Sequence, residues 1–444
     1  MTTALFPRAR RGELLVVGLC FAAIVCEGYD LIVYGAVVPE LLRYEPWHLT
    51  PAEAGAIGSY GLFGMLVGAL CAGAVADVLG RRRTVLISVA WFSLAMAACA
   101  LAPTPGWFGL FRALGGLGLG GVMPTAIALT VECSAPHRRS LNNALMFSGY
   151  SVGGILAAVL AMPLLPRYGF RVMFWIGVLP LVLVVPLLWR YLPESAAFLR
   201  NEGRLAETEA VARRFTAGRA APTVPAAGRA SARAVTLALF SPRHLRATLL
   251  FALTSFFGLL LVYGLNTWLP EIMKGAGYPL SGSLLFLVAM NAGAVAGSLL
   301  LAPLGDRIGM KPVTALSFAA AAVSIALLSR ATYAPALYLL VAVAGCGTIG
   351  TQILVNAYVA LHYPPQIRAT ALGWALGIGR FGAVAGPAVG GLLVAADVGA
   401  AVNFYAFAVP AVLGAGSVLL LPGRRRTPAA APAAPSSEPV KAAA

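Results

Sequence analysis

The chain has 444 residues, of which 59% are apolar and only 11% charged. Soluble domains carry about a quarter charged residues, so an ordinary water-soluble fold is excluded, as is disorder, which requires low hydrophobicity. The remaining charge is lopsided, 32 Lys and Arg against 16 Asp and Glu, a formal +16; in a soluble protein this points to nucleic acid, in a membrane protein to topology-setting arginines.

A bilayer core about 30 Å thick is crossed by roughly 20 apolar residues of helix. Twelve such stretches follow one another at 14–38, 54–76, 84–102, 108–130, 143–164, 172–192, 245–269, 284–304, 312–329, 335–360, 370–393 and 402–421. The first is too long and too acidic for a signal peptide. With the N-terminus in the cytoplasm, 25 of the 32 basic residues fall on cytoplasmic segments. Only Arg43, Arg167, Arg171, Lys274 and Arg330 fall outside, and Arg112 and Arg380 lie within spans. This is the positive-inside pattern, and it removes the need for nucleic acid. It predicts a multi-pass protein of the cell (inner) membrane with both termini cytoplasmic. Most of the six Cys lie within spans, none with a metal-type spacing, and they read as small apolar side chains.

The longest loop, rich in Ala, Arg, Pro and Gly, separates six spans from six. The predicted organisation is a first bundle at 1–192, a cytoplasmic linker at 193–243 with a short surface helix at 199–215, a second bundle at 244–421, and a low-complexity, disordered tail at 422–444. The bundles share an offset of 229 residues. It carries Tyr34 onto Tyr263, Asp77 and Gly80 onto Asp306 and Gly309, Pro136 and Arg139 onto Pro365 and Arg368, and Gly153 onto Gly382. The fold predicted is therefore all-α, two duplicated six-helix bundles with a substrate site between them near the midplane.

Each copy repeats a carboxylate, a glycine turn and cations at the end of its second span: Asp77, Gly80 and Arg81 in one, Asp306, Gly309 and Arg307 in the other. Charge-assisted contacts there suit a conformational latch, to which Glu132, Arg139 and Arg368 are expected to contribute, with Glu132 pairing to Arg139. The doubled motif is a hallmark of the major facilitator superfamily, which the whole chain resembles.

Ionisable groups inside a span cost roughly 2.5–3.5 kcal/mol each on insertion scales, yet Glu27, Asp30 and Arg380 are all within spans. Glu27 and Asp30 are three residues apart on one helix face. Low dielectric and like charge both disfavour ionising the two together, so the pair suits reversible proton binding; a structural ion pair is the other reading. Arg380 stays charged and offers a fork that matches a carboxylate. It either holds an anionic substrate or pairs with Glu27 or Asp30. Arg112, near the outer end of span four, either snorkels to the surface or takes part in coupling. Gln352 and Asn356, four apart on span ten, face substrate or a neighbouring helix. Tyr34, Tyr263, Trp374 and Phe381 offer stacking surface.

Within that superfamily, several segments resemble the aromatic acid:proton symporter family. They are Glu27-Gly28-Tyr29-Asp30, where the family usually has Asp-Gly-x-Asp; the glycine-rich run from Arg112 to Pro124; Glu132 followed by Pro136 and Arg139; Tyr263 through Pro270; and Arg368 through Gly382. The resemblance implies alternating-access uptake of a benzoate-like or hydroxybenzoate-like acid with protons, Asp30 and Glu27 serving coupling. Partners are then the acid, protons and the bilayer, with the protein acting as a monomer. A sugar or other metabolite symporter and a drug/proton antiporter are the alternatives. No nucleophile–His arrangement, metal cluster or phosphate loop is legible, so neither an enzyme, a cofactor nor a metal is expected.

Overall fold

The computed structural model describes residues 5–215, 237–330 and 333–422; the predicted tail and the middle of the linker lie outside the described residues. Twelve helices are long and apolar enough to cross a membrane. In the first bundle they are α1 (Leu5–Leu41), α2 (Pro51–Leu79), α3 (Arg81–Leu101), α4 (Pro105–Cys133), α5 (Arg139–Tyr168) and α6 (Arg171–Tyr191). In the second they are α7 (Leu245–Gly275), α8 (Leu280–Ile308), α9 (Met310–Leu327), α10 (Ala334–His362), α11 (Pro365–Ala395) and α12 (Ala400–Leu419). No strand occurs among the described residues. The linker contributes two short helices, Ala196–Asn201 and Leu205–Phe215, where one was expected.

Several helices overrun the apolar stretches that define them. α1 begins at Leu5 and α11 at Pro365, because Arg, Gln and Leu are good helix formers and the helix does not stop where the hydrocarbon does. α6 is broken between Ile176 and Leu179, where Pro180 supplies no N–H to continue the ladder. α10 is interrupted by a π-helical segment, Cys346–Gly350. The glycine turns of the repeat are real: Gly80 and Gly309 have φ of +88° and +109°, a region closed to most side chains, and each joins two antiparallel spans.

The repeat also shows in the packing. Gly153 presses α5 onto the Val25–Tyr29 backbone of α1, and Gly382 presses α11 onto the Phe256 carbonyl of α7. Small residues let these backbones approach closely. Between the bundles, α1 packs on α7, α2 on α11 and α5 on α8. These contacts are concentrated toward the end opposite the termini and the long loop. There Ser59 Oγ donates to the Val384 carbonyl (2.6 Å) and Lys274 Nζ to that of Pro39 (3.0 Å), and Gly55 lies against Pro387 and Gly391.

One stripe of α11 passes from packed to open. Gly391, Pro387 and Val384 rest on α2. Arg380 follows, one turn on, and beyond it Gly377 and Gly373 meet nothing within 4 Å. Gly73, two turns past Met65 on the facing helix α2, likewise meets nothing. The bundles therefore close over one end, a cleft opens toward the terminus-bearing end, and Arg380 stands at its head.

Candidate functional site

α1 belongs to the first bundle, and four consecutive residues on it face four different helices. Glu27, without a hydrogen bond of its own, lies in the field of Arg380 on α11. Gly28 lies flat against the Tyr150 backbone of α5, with no room for a Cβ. The Tyr29 hydroxyl donates to the Met173 carbonyl of α6 (2.8 Å). Asp30 meets Arg112 of α4. An acidic-Gly-x-acidic order is what this placement demands: two carboxyls about 60° apart on the helix, and a bare backbone about 100° from Glu27, on the side away from Asp30, where α5 crosses.

The Asp30–Arg112 pair is almost fully enclosed, at 2% and 5% exposure. Arg112 Nη1 donates to the Asp30 carboxylate and Nη2 to the Asp30 backbone carbonyl at 3.3 Å. The guanidinium sits over the Tyr34 ring, 5.6 Å from its centroid. The surface-snorkelling alternative for Arg112 is thereby corrected. The glycines that follow it draw α4 against its neighbours, Gly116 and Gly120 onto α2 and Gly118 and Gly121 onto α3, too tightly for the arginine to swing outward.

Glu27 is 0% exposed, and neither of its carboxylate oxygens has a hydrogen-bond partner. Arg380 is half-buried and directs Nη1 at the Met65 sulfur, 3.0 Å away. Tyr150 of α5 and Tyr263 of α7 are buried beside them, and the two tyrosines, Glu27 and Arg380 act on one another electrostatically. One acid, one cation and two phenols thus converge from α1, α11, α5 and α7 at the head of the cleft. A recess of about 390 Å³ at the closed end, lined by Arg43, Glu271 and Lys274 among others, is separate from this cluster.

The structure does not bring every sequence-nominated residue here. Tyr34 is buried with its hydroxyl on the Ala54 carbonyl (2.5 Å), bracing α1 against α2. Gln352 and Asn356 bond each other at 3.4 Å, and Gln352 Oε1 faces Gly258 of α7. Trp374 packs edge-on against Phe240, ring centroids 5.0 Å apart. Phe381 is 58% exposed, two turns along the same outward stripe, away from both Arg380 and the glycines that face α7.

The expected latch is rearranged. Glu132 pairs with Arg81 (2.7 Å) rather than with Arg139, because the linker enters between the spans. Ser195 Oγ accepts from Arg81 (2.6 Å) and donates to Glu132 (2.5 Å), and Glu194 accepts from the Arg81 and Arg82 backbone N–H groups. Glu194 so caps the start of α3, where a carboxylate is favoured. Arg368 reaches the Tyr363 carbonyl at 3.5 Å. The Arg139 side chain is half-buried, with no hydrogen-bond partner at Nε, and Asp77, Asp306 and Arg307 are exposed. Among the described residues no ion pair joins the two bundles, as fits a cleft open at that end.

Sequence reasoning missed Arg112 as the partner of Asp30, and Tyr150 altogether. For Arg112 the signal was arithmetic: two acids and two arginines inside the spans. For Tyr150 it was the repeat, since the offset of 229 carries Tyr150 onto Gly379, the neighbour of Arg380.

Twelve spans in two bundles around a buried acid–cation cluster are the architecture of a membrane transporter. The family model of the Major Facilitator Superfamily matches residues 20–300 and 285–443, and the chain belongs to that superfamily. It is a multi-pass membrane transporter, not an enzyme. A benzoate transport protein of Acinetobacter baylyi is 39% identical over 92% of this chain and 90% of its own length. A gentisate transporter of Corynebacterium glutamicum is 40% identical over 93% and 88%. Among solved structures, the inward-open xylose transporter XylE of E. coli superposes with a TM-score of 0.73 at 17% identity, over 94% of this chain and 98% of that one; at that identity the likeness concerns the fold.

Proposed function

We propose that the protein takes up an aromatic carboxylate together with protons by alternating access. The observation that carries this reading is Arg380: a permanent cation, half-buried at the head of the cleft, with Tyr150 and Tyr263 beside it. A guanidinium binds a carboxylate bidentately, and phenol rings give an aromatic substrate edge or face contacts together with a hydroxyl. The relatives named for benzoate and gentisate transport support that substrate class. Asp30 serves as the proton site. Its protonation removes the partner of Arg112 and frees α4 from α1, and the same step in reverse restores the pair. The latch residues Asp77, Asp306 and Arg307, exposed here, engage when the cleft closes and the opposite end opens. The skew of basic residues supports a cleft that faces the cytoplasmic side of the cell membrane. The protein works as a monomer in this reading, since each bundle supplies half of the site.

Benzoate binding to the purified protein tests it. At a benzoate concentration one hundred times its Kd the wild type gains about 2.7 kcal/mol of stability, seen as a rise in thermal midpoint. Arg380→Ala shows no rise. An undiminished rise in Arg380→Ala places the carboxylate elsewhere.

A further inference from the structure

Arg112 and Arg380 both lie inside spans, and each has a methionine sulfur beside it. They treat that sulfur differently. Arg112 Nη1 donates to the Asp30 carboxylate, and the Met96 sulfur stands back at 4.0 Å. Arg380 has no carboxylate within ion-pair distance among the described residues. Its Nη1 comes to 3.0 Å from the Met65 sulfur instead. Arg112 shows what a guanidinium in this protein does when both acceptors are within reach: it takes the carboxylate and leaves the thioether.

Resting on the reading that Arg380 receives the substrate carboxylate, we propose that Met65 is its placeholder. The thioether holds the empty guanidinium in position and yields it to the anion, so that residue 65 sets substrate affinity through Arg380, as a positioning residue.

The argument is one of acceptor strength at a fixed place. A thioether is a weak acceptor. A carboxylate accepts from a guanidinium in a charge-assisted bond, roughly twice as strong as a neutral one. Exchange of the first for the second at Nη1 is therefore favourable, whereas an amide oxygen at position 65 would compete with the anion. The sulfur is also firmly placed. Met65 is 0% exposed, and Gly116 and Gly120 of α4 lie against its backbone N and carbonyl. So enclosed a side chain keeps water from its side of the guanidinium, and Nη1 is left there with a poor acceptor. The contact also crosses between the bundles, since Met65 belongs to α2 and Arg380 to α11. It is the next tie inward from the bond of Ser59 to the Val384 carbonyl. An anion that claims the guanidinium thus removes one tie between the bundles as it binds.

Calorimetric titration of the purified full-length protein with benzoate, on the wild type and two variants, tests this. Met65→Leu nearly conserves volume and removes the acceptor, so its Kd falls about threefold, the anion now relieving an N–H left without a partner. Met65→Gln offers a stronger acceptor of similar length, and its Kd rises about tenfold. Thermal unfolding without ligand accompanies each titration. If Met65 only packs, both variants bind more weakly, in step with their loss of stability. An unchanged or raised Kd in Met65→Leu overturns the inference, and so does an unchanged Kd in folded Met65→Gln. Arg380→Ala separates the two levels. With benzoate binding lost in Arg380→Ala, those results overturn the placeholder role and leave the substrate reading intact. Undiminished binding by Arg380→Ala overturns both.

Discussion

Asp30→Asn removes the charge that holds Arg112 inside the first bundle. Both groups are enclosed, and the arginine has no route to water: α2 and α3 are packed on the glycines beside it. Breaking a buried pair from one side costs about 3–5 kcal/mol, since an uncompensated charge is left behind. The cost is unequal between partners. A guanidinium cannot shed its proton, so Asp30→Asn is destabilised at every pH. In Arg112→Gln the orphaned carboxylate can neutralise by taking a proton, so the penalty shrinks as the pH falls. Removing both charges relieves most of the loss, and the coupling falls at or above the upper end of the 0.5–3 kcal/mol range seen for contacting residues. Thermal and denaturant unfolding of the two single variants and the double variant, followed by circular dichroism across pH, measures all of this. Equal, pH-independent losses in the two single variants would refute the reasoning, and so would a loss below about 1 kcal/mol in Asp30→Asn.

Gly55→Val tests which end is closed. A Cβ at this position lies 2.6 Å from the Pro387 carbonyl and 3.1 Å from Gly391 Cα. The overpacking, about 1–3 kcal/mol, falls on the closed arrangement alone and shifts the population toward opening there. A cysteine at Ser59, on a background with the six native cysteines replaced, should react roughly tenfold faster or more with an impermeant thiol reagent added from that side; an unchanged rate contradicts the assignment. Trp374→Ala and Phe381→Ala should leave the KM for uptake within about twofold, because these rings face away from the cleft; a tenfold rise in either would return that ring to the site.

The twelve spans, the division into two bundles and the glycine turns at Gly80 and Gly309 were legible because each is a local property: length in apolar residues, a shift in composition, a repeated motif. Glu27, Asp30 and Arg380 stood out for the same reason, as charges inside apolar runs. What the sequence left open was pairing. Helical periodicity places Glu27 and Asp30 on one face, but it does not say that Asp30 meets Arg112 of α4 while Glu27 lies in the field of Arg380 on α11. Nor does it separate aromatic side chains by direction. Tyr34 and Tyr263 are equivalent in the repeat, yet one braces α2 and the other stands beside Arg380. Phe381 adjoins Arg380 in sequence and is turned about 100° from it around the helix. The Glu132–Arg81 pair depends on the linker residues Glu194 and Ser195 folding back onto α3, a contact between segments more than a hundred residues apart.

The central claim is uptake of an aromatic acid driven by protons. Its most direct test is the initial rate of radiolabelled benzoate entry into proteoliposomes holding the wild-type protein, with an imposed inward proton gradient. The account predicts entry that rises with the gradient, collapses on addition of a protonophore and is absent in Arg380→Ala. Entry at the same rate with and without the protonophore would contradict it.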